Sequence, residues 1–480
     1  MKFTNRFVLT ICVLAMTFAG VSAGNAQSSI PSVLKMPAQI AGGRPVTISM
    51  PDKPPSSDAS SLKVWTDQVG RFTKAYPNVT INGLEYSYAT DTFAALVAGK
   101  QVPTLFRVYM TDPQIYINLG IAADITKIVD ANNLRQIVNP NILNLGIKDN
   151  KVYAFPKAAY AMGLGYNLTL LKAAGISAPP ATWDELRADA KKLTDRSKGI
   201  SGFSFINDGT TAAGWHLTII SYTYGAKPTD LITPAANGKY TAGFGTGAPV
   251  DTLNFIKQLR WTDDVLPHDT VDWPTNGTLL GTGKAAMVMM AGSQYEWIKT
   301  QLKDVDMTTL GFAPLPSGPG GVVSLIGGDT YMVSSAASAD EQEAATYFAL
   351  WSQLDPDEHV LNMNSQKASG NPVGGPDLPL FVGSYEAARE TFDKPFYTLP
   401  YDNYSSFLNA VTSGKVKLQV EPTPAGQDYY AAVATVLTSV LTDQTVDPAK
   451  ALADAAKTFQ ATTLDHLGQP PATAAATAAK

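Results

Sequence analysis

Aromatic and polar side chains follow two of the strands that the start of the chain predicts. Tyr88 comes after a strand predicted over 79–84, and Thr111 and Asp112 come after a strand predicted over 103–109. Because ligand sites of α/β proteins lie where strands end and loops begin, we expect these side chains to share one site. An aromatic ring can stack on the apolar face of a sugar, while Asp and Thr can meet its hydroxyls. The pattern therefore favours binding of a small, hydroxyl-rich molecule.

Trp273 is a further candidate because it lies in a polar stretch and is flanked by proline. The sequence Asp272-Trp273-Pro274 predicts a loop, where an indole ring is free to reach a ligand. Most other tryptophans follow helical periodicity, and we assign them to helix packing: Trp65, Trp183, Trp261 and Trp351.

The chain carries no sequence signature of a catalytic or metal site. Its four histidines, at positions 216, 268, 359 and 466, are too widely spaced for a set of metal ligands. A Gly-x-Ser-x-Gly elbow is absent, and Gly281-Thr-Gly-Lys-Ala lacks the hydroxyl that a phosphate loop needs after its lysine. We therefore expect no enzyme activity and no cofactor. A glycoside-acting enzyme stays open as an alternative, because its two carboxylates need no fixed spacing in the sequence.

The first 26 residues predict a cleaved secretory signal peptide. Lys2 and Arg6 precede an apolar run over 7–20 that is too short for a membrane span, and small residues then offer cleavage after Ala23 or Ala26. The only cysteine, Cys12, follows a bulky isoleucine, which argues against a lipid anchor. We expect export to the periplasm.

Composition excludes several classes of partner. The net charge is −5, only 16% of the residues are charged, and no basic block occurs, so nucleic-acid binding has no electrostatic support. About 450 residues remain after the signal peptide, which is enough for two or three domain-sized cores. We expect a monomer.

Strands and helices alternate along the first part of the mature chain. A leader over 27–44, rich in Ser, Pro, Ala and Gly, is expected to be flexible, and a strand is predicted over 46–50. An amphipathic helix follows, with apolar residues at steps of three and four: Leu62, Trp65, Val69, Phe72 and Tyr76. The order strand, helix, strand, helix, strand predicts a mostly parallel sheet with helices on both faces.

The stretch from 150 to 193 contains several motifs in a fixed order. A short strand over 152–155 is predicted to stop at Pro156, and a buried strand is predicted over 158–166. A helix then ends at Gly175, and Thr182 with Glu185 forms a capping box for the next helix.

These motifs resemble the central signature of the family 1 extracellular solute-binding proteins of ABC importers, in particular maltose- and multiple-sugar-binding proteins. The matching blocks are Lys151-Val-Tyr-Ala-Phe-Pro156, Tyr166-Asn167, Ala174-Gly175-Ile176 and Thr182-Trp-Asp-Glu-Leu186. Later blocks over 281–287, 311–316, 327–333 and 370–373 extend the resemblance to about residues 45–465. One departure is Thr104, where the family usually has Asp after proline.

The resemblance implies a two-lobed α/β fold of the type II periplasmic-binding-protein class, with the ligand in a cleft that closes about a hinge. The implied division is 44–157 plus 326–369 for lobe one, 158–325 plus 370–465 for lobe two, and a disordered tail over 466–480. It also implies a partner, the membrane permease subunits of an ABC importer, and a carbohydrate ligand. Polyol phosphates, polyamines and iron stay open as alternative ligands.

The resemblance adds ligand-contacting candidates to those chosen from residue chemistry alone. These are Tyr160, Trp215, Tyr295, Gly328, Asp329 and Tyr404. The absence of an arginine cluster from the sequence argues against an anionic ligand. The candidate residues are not notably acidic, which argues against a polyamine.

Overall fold

The structure of the protein is a computed structural model that describes residues 29–235 and 238–467, apart from the side chain of Asp91. The predicted signal peptide and the part of the predicted tail after residue 467 lie outside these residues. The strands are β1 (Val46–Met50), β2 (Val79–Gly83), β3 (Leu105–Tyr109), β4 (Ile147–Lys148), β5 (Lys151–Val152), β6 (Ala154–Asn167), β7 (Ser201–Ser204), β8 (Ile232–Pro234), β9 (Tyr240–Ala242), β10 (Ala285–Ala291), β11 (Leu310–Ala313), β12 (Val323–Val333) and β13 (Lys417–Gln419).

The α-helices alternate with these strands, and 3₁₀ turns join several of them. The helices are α1 (Ala59–Ala75), α2 (Thr90–Ala98), α3 (Pro113–Asn118), α4 (Thr126–Ala131), α5 (Pro140–Leu143), α6 (Leu168–Ala173), α7 (Trp183–Leu193), α8 (Thr211–Thr223), α9 (Pro228–Leu231), α10 (Ala248–Trp261), α11 (Trp273–Gly281), α12 (Gly292–Gln301), α13 (Ala339–Leu354), α14 (Pro356–Ala368), α15 (Gly383–Asp393), α16 (Ser405–Thr412), α17 (Gly426–Thr442) and α18 (Pro448–Thr462). None of these helices is long and apolar enough to cross a membrane.

The main sheet is mixed, so the prediction of a mostly parallel sheet was wrong. Its strands run in the order β13, β12, β6, β10, β7, with β3 beside β12 and β11 beside β6. The central strand β6 is antiparallel to β10, β11 and β12, whereas β10 and β7, β12 and β13, and the separate pair β1 and β2 are parallel. The first three predicted strands and the helix between the first two are confirmed.

Strand β6 continues through Pro156, where the sequence predicted a stop. Pro156 pairs with Thr330 of β12, and the register of the two strands shifts between Asp329 and Thr330. A proline lacks the N–H that a regular ladder requires, but an irregularity in the pairing tolerates its absence. The two predicted strands are therefore one strand of 14 residues.

Two large apolar cores lie on either side of the middle of β6. The first contains Ile48 of β1, Phe72 of α1, Phe155 of β6 and Phe348 of α13. Phe381 and Tyr385, from the chain after α14, pack in this same core. The predicted boundaries of the two lobes stay a prediction.

The second core and a third core cover opposite faces of the main sheet. Successive residues of a strand point to opposite faces, so Met287 and Met289 of β10 enter the second core, while Val288 and Met290 enter the third. Helices α8 and α17 close the second core. Burial on both faces explains why β10 is an unbroken apolar run.

The leader over 27–44 is not a loose segment where the structure describes it, contrary to the sequence prediction. Ile30, Leu34 and Ile40 are buried in the first core, and the Tyr76 hydroxyl donates to the carbonyl of Pro37 at 2.9 Å. Three apolar residues among small ones are enough to anchor the segment, although they follow no strand or helix period.

The contact between α8 and α17 depends on Gly214. A Cβ at this position would overlap the Tyr430 carbonyl oxygen, so Gly214→Ala must push the two helices apart. We expect a loss of about 1–3 kcal/mol in the free energy of unfolding, measured by urea denaturation.

Gly70→Ala in α1 is the matched control, because Gly70 is exposed and nothing lies within 4 Å of its missing Cβ. We expect this variant to gain roughly 0.5–1 kcal/mol from the better helix propensity of alanine. Equal effects of the two substitutions would contradict the close helix contact.

Candidate functional site

The chain passes between the first core and the second core along β6 and β12, and a third segment, at Leu378 of the third core, lies beside these two strands. Residues 158–161 of β6 pair with residues 326–329 of β12, and the backbone N–H of Leu378 donates to the Ala159 carbonyl at 2.9 Å. We call these three segments the crossing. The side chains that project from these segments lie between the two lobes. They therefore form the floor of any interlobe cleft.

Tyr160 and Trp215 form an aromatic corner on this floor. Tyr160 is half-buried on β6, and its ring meets the Trp215 ring of α8 edge to face, with centroids 6.0 Å apart. Gly327 makes the room for both rings, because a Cβ there would stand 2.6 Å from Tyr160 and 3.1 Å from Trp215. The structure thus brings together two of the residues that the sequence predicted as ligand contacts.

Asp329 belongs to a charged network on the first-lobe side. Arg107 lies 2.8 Å from Asp329 and 3.0 Å from Asp52, and Lys157 lies 3.2 Å from Asp52. Lys157 also lies over the Tyr331 ring, at 5.6 Å from its centroid. Two cations and two carboxylates therefore neutralise one another in this wall.

Asp112 is held inside the first lobe by Tyr88. The Tyr88 hydroxyl donates to Asp112 at 2.6 Å and lies 2.9 Å from the Tyr116 hydroxyl. Asp112 is only 1% exposed, and burial raises its pKa to about 6. Next to it, Thr111 accepts a hydrogen bond of 3.2 Å from Gln427 at the start of α17, which links the two lobes directly.

Glu421 approaches the same region from the second lobe. It is 8% exposed and accepts a hydrogen bond of 3.3 Å from the Tyr430 hydroxyl. Burial raises the pKa of Glu421 to about 8, and the nearby carboxyls of Asp112 and Asp329 act in the same direction. This carboxyl has no cationic partner in the described part of the chain.

A polar cavity of about 340 Å³ opens between the lobes on another side of the crossing. Ser61 of α1 and Asn362 and Gln366 of α14 line one side, and Glu296 and Thr300 of α12 line the other. The loop over 371–374 closes it. The volume falls at the lower end of the range for small-molecule sites, roughly 300–1,000 Å³.

Tyr295 and Tyr404 are placed elsewhere, in the third core. Both rings are fully buried with centroids 5.8 Å apart, and the Tyr295 hydroxyl donates to the Leu310 carbonyl at 2.8 Å. Trp273 begins helix α11 instead of lying in a loop, because Asp272 caps that helix by accepting from the Thr275 N–H. Their ligand contacts stay predictions.

Gly328 serves the crossing itself. Its φ is +148°, and a Cβ would overlap the Ala158 carbonyl oxygen. The residue thus lets β6 and β12 approach at the point where both change lobes.

Glu296, Glu421 and the polar face of α14 were missed by the sequence reasoning. Glu296 follows the chosen Tyr295 directly, and neighbours on a helix point about 100° apart, so a buried tyrosine turns the next side chain away from the core. Helical periodicity could have shown this. Glu421 lies in a loop without a periodic pattern, and nothing in the sequence distinguishes it.

Comparison with known proteins identifies the relatives of this chain. The family model described as "Bacterial extracellular solute-binding protein" matches residues 54–351, more than half of the chain. A Brucella abortus (strain 2308) protein described as a binding protein is 27% identical over 57% of this chain and 66% of its own length. A Deinococcus radiodurans protein described as an ABC transporter-binding protein is 26% identical over 43% of this chain and 48% of its own length. Each match covers less than two thirds of the relative.

Solved structures share the fold over most of the described chain. The maltose-bound MalE3 of T. maritima has a TM-score of 0.67 at 19% identity and covers 86% of this chain and 99% of its own. A solute-binding protein of Agrobacterium radiobacter K84 in complex with ribitol has a TM-score of 0.65 at 21% identity, over 88% and 99%. The predicted two-lobed α/β fold class is confirmed.

The protonated Glu421 makes stability depend on pH. The folded protein keeps this proton up to a pKa of about 8, whereas an unfolded glutamate releases it near 4.5. Unfolding therefore releases a proton between these values, and the free energy of unfolding falls as the pH rises through this window. We expect Glu421→Gln to flatten that fall, measured by urea denaturation at pH 5, 6, 7 and 8.

Asp454→Asn is the control, since this exposed carboxyl of α18 pairs with Lys450 and its pKa is lowered. Above pH 5, Asp454→Asn should leave the pH dependence of the free energy of unfolding as in the wild type. If the free energy of unfolding falls equally steeply with pH in the wild type and in Glu421→Gln, Glu421 is not protonated in the folded protein.

Proposed function

The chain belongs to the bacterial extracellular solute-binding proteins, and we propose from this premise that it captures a sugar or polyol in the interlobe cleft and delivers it to the permease of an ABC importer. The aromatic corner of Tyr160 and Trp215 on the crossing is the observation that carries the proposal. Movement about the three crossing segments would close the lobes over the ligand.

The residues around the crossing suit a carbohydrate. The half-buried ring of Tyr160 offers apolar surface for the C–H face of a sugar, and the buried Trp215 ring supports it from the second core. A stacking contact is worth roughly 0.5–1.5 kcal/mol beyond its buried area. Carboxyl, amide and hydroxyl groups from both lobes stand nearby as partners for sugar hydroxyls, namely Asp329, Glu421, Gln427 and Thr111. An unmatched buried polar group costs roughly 1–3 kcal/mol, so such partners supply specificity.

The structural relatives support this ligand class. Those whose names state a ligand are bound to maltose, maltotriose, ribitol or D-mannitol, among others. The name of the Deinococcus relative supports partnership with an ABC transporter. The proposed place of work is the periplasm, with the predicted signal peptide directing export.

A phosphorylated ligand is less compatible with the charges of the floor. Arg107 and Lys157 are the cations of the first-lobe wall, and both are already paired with Asp52 or Asp329. An anion would have to compete with these carboxylates. An iron site is also unsupported, because no three His, Cys, Asp or Glu side chains of the described residues could hold a metal ion together.

The ligand can be found by thermal unfolding of the mature protein against a panel of mono- and oligosaccharides, polyols, amino sugars and polyamines. A ligand at 100 times its Kd stabilises the native state by about 2.7 kcal/mol. We expect Tyr160→Ala to weaken binding of the ligand so found at least about tenfold by calorimetric titration, because it removes a stacking ring.

Tyr295→Phe is the matched control, because it removes only a hydroxyl that bonds to Leu310 inside the third core. We expect a lower unfolding temperature and an unchanged Kd. If Tyr160→Ala binds as tightly as the wild type while Tyr295→Phe loses affinity, the proposed site is wrong.

Recovery of the bound sugar distinguishes a binding protein from the alternative of a glycoside-acting enzyme. We expect the sugar to be recovered intact after prolonged incubation with the protein. Cleaved product that disappears in Glu296→Gln would favour the enzyme.

A further inference from the structure

Two kinds of carboxyl group surround the crossing. Asp52 and Asp329 are neutralised by Arg107 and Lys157. Glu296 and Asp377 have no cationic partner among the described residues. Glu296 lines the interlobe cavity, and Asp377 lies near Glu296. A carboxyl pair without a counter-charge is expensive to bury, and a molecule that supplies the missing charge would bind there with advantage.

Glu296 and Asp377 lie close together because two backbone segments that contain glycine approach there. The Glu296 carboxylate lies against Gly375, where a Cβ would overlap it. Asp377 Oδ1 would lie 3.2 Å from a Cβ at Gly292, the first residue of α12. This oxygen is buried and accepts no hydrogen bond in the described part of the chain. Burial raises the pKa of both carboxyls, that of Asp377 to about 7, and the negative charge of Asp377 raises the pKa of Glu296 further.

The cavity in front of the pair is built for a polar molecule. Glu296 lines it together with hydroxyl and amide groups of Ser61, Asn362 and Gln366 from the opposite lobe, and with Asn371 of the loop that closes the cavity. Both lobes contribute, so the cavity would change shape when the lobes move. The site therefore combines an acidic end with hydrogen-bonding partners of the kind that sugar hydroxyls need.

We propose that the interlobe cavity at Glu296 binds a solute that carries a basic amine, as an amino sugar or aminocyclitol does, and that its ammonium group sits beside Glu296 with Asp377 behind it. The inference rests on the proposed function and adds a second subsite to it, because the cavity lies on another side of the crossing from Tyr160 and Trp215. The ammonium group lowers the raised pKa of the two carboxyls, so that they ionise beside it and pair with it. The hydroxyls of the same ligand reach Asn362, Gln366 and Asn371.

The test compares amines with their neutral counterparts by calorimetric titration of the full-length mature protein. The probes are glucosamine, galactosamine and mannosamine, each beside the parent hexose and the N-acetylated form, with putrescine and spermidine as amines that carry no ring. We expect an amino sugar to bind roughly ten- to a hundredfold more tightly than its neutral counterparts, the range for a hydrogen bond to a charged group.

Variants then assign the preference to the pair. Glu296→Gln and Asp377→Asn keep the shape of the side chains and each remove one group that can ionise beside the amine, and we expect either one to lower the preference for the amine at least about tenfold. Asp454→Asn on the exposed face of α18 removes a carboxylate far from the cavity and should leave the preference unchanged.

The outcomes separate this inference from the function on which it rests. A neutral sugar that binds as tightly as the amine, with an affinity that Tyr160→Ala lowers, would sustain the proposed function and overturn the inference. Binding of putrescine or spermidine alone, lost in Glu296→Gln, would sustain the amine site and overturn the carbohydrate ligand. No binding by any probe would overturn both.

A merely structural role of the pair predicts a different result. If the two carboxyls only hold the loop over 371–378 against α12, Glu296→Gln changes the unfolding temperature and leaves the ratio of amine to neutral affinity as in the wild type. That result would also overturn the inference.

Discussion

The pairing of β6 with β12 is the constraint on which the rest of this structure depends. Both strands pass from one lobe to the other side by side, and residues 158–161 pair with residues 326–329 next to the register shift between Asp329 and Thr330. Two glycines make this geometry possible. Gly328 lets the strands approach, and Gly327 leaves the space that the Tyr160 and Trp215 rings fill. The floor of the cleft is therefore built on paired backbone, while its side chains come from both lobes.

The distribution of charge follows from this arrangement. The first-lobe wall pairs each carboxylate with a cation, which fixes Arg107 and Lys157 and costs little in stability. Glu421, Glu296 and Asp377 are left unpaired, and burial keeps protons on them well above the usual range of carboxyl groups. A protein selected only for stability would replace such groups with apolar ones. Their concentration between the lobes instead favours a role in binding.

The sequence predicted the elements of this fold better than their arrangement. Strand β1 and helices α1 and α7 follow from local periodicity and capping, and the structure has them where the pattern indicated. Pro156 predicts the end of a strand because a proline lacks the N–H of a regular ladder. The register shift in the distant β12 lets the strand continue through it. The antiparallel partners of β6 likewise come from residues more than a hundred positions away. Local patterns carry no information about such partners, and the resemblance to a family supplied the two-lobed fold.

The candidate site shows the same division between local and distant information. Tyr160, Trp215 and Asp329 were predicted from the resemblance and lie together at the crossing, whereas Tyr295 packs in a core one residue before the carboxyl that lines the cavity. An aromatic residue and its neighbour on a helix cannot both face the same surface, so choosing Tyr295 meant overlooking Glu296. The error has a chemical consequence. The aromatic candidates alone indicate a neutral sugar, and the residues chosen from the sequence predict a cleft that is not notably acidic. Once Glu296, Asp377 and Glu421 are counted with them, the excess of unpaired carboxyls favours a ligand that brings a positive charge of its own.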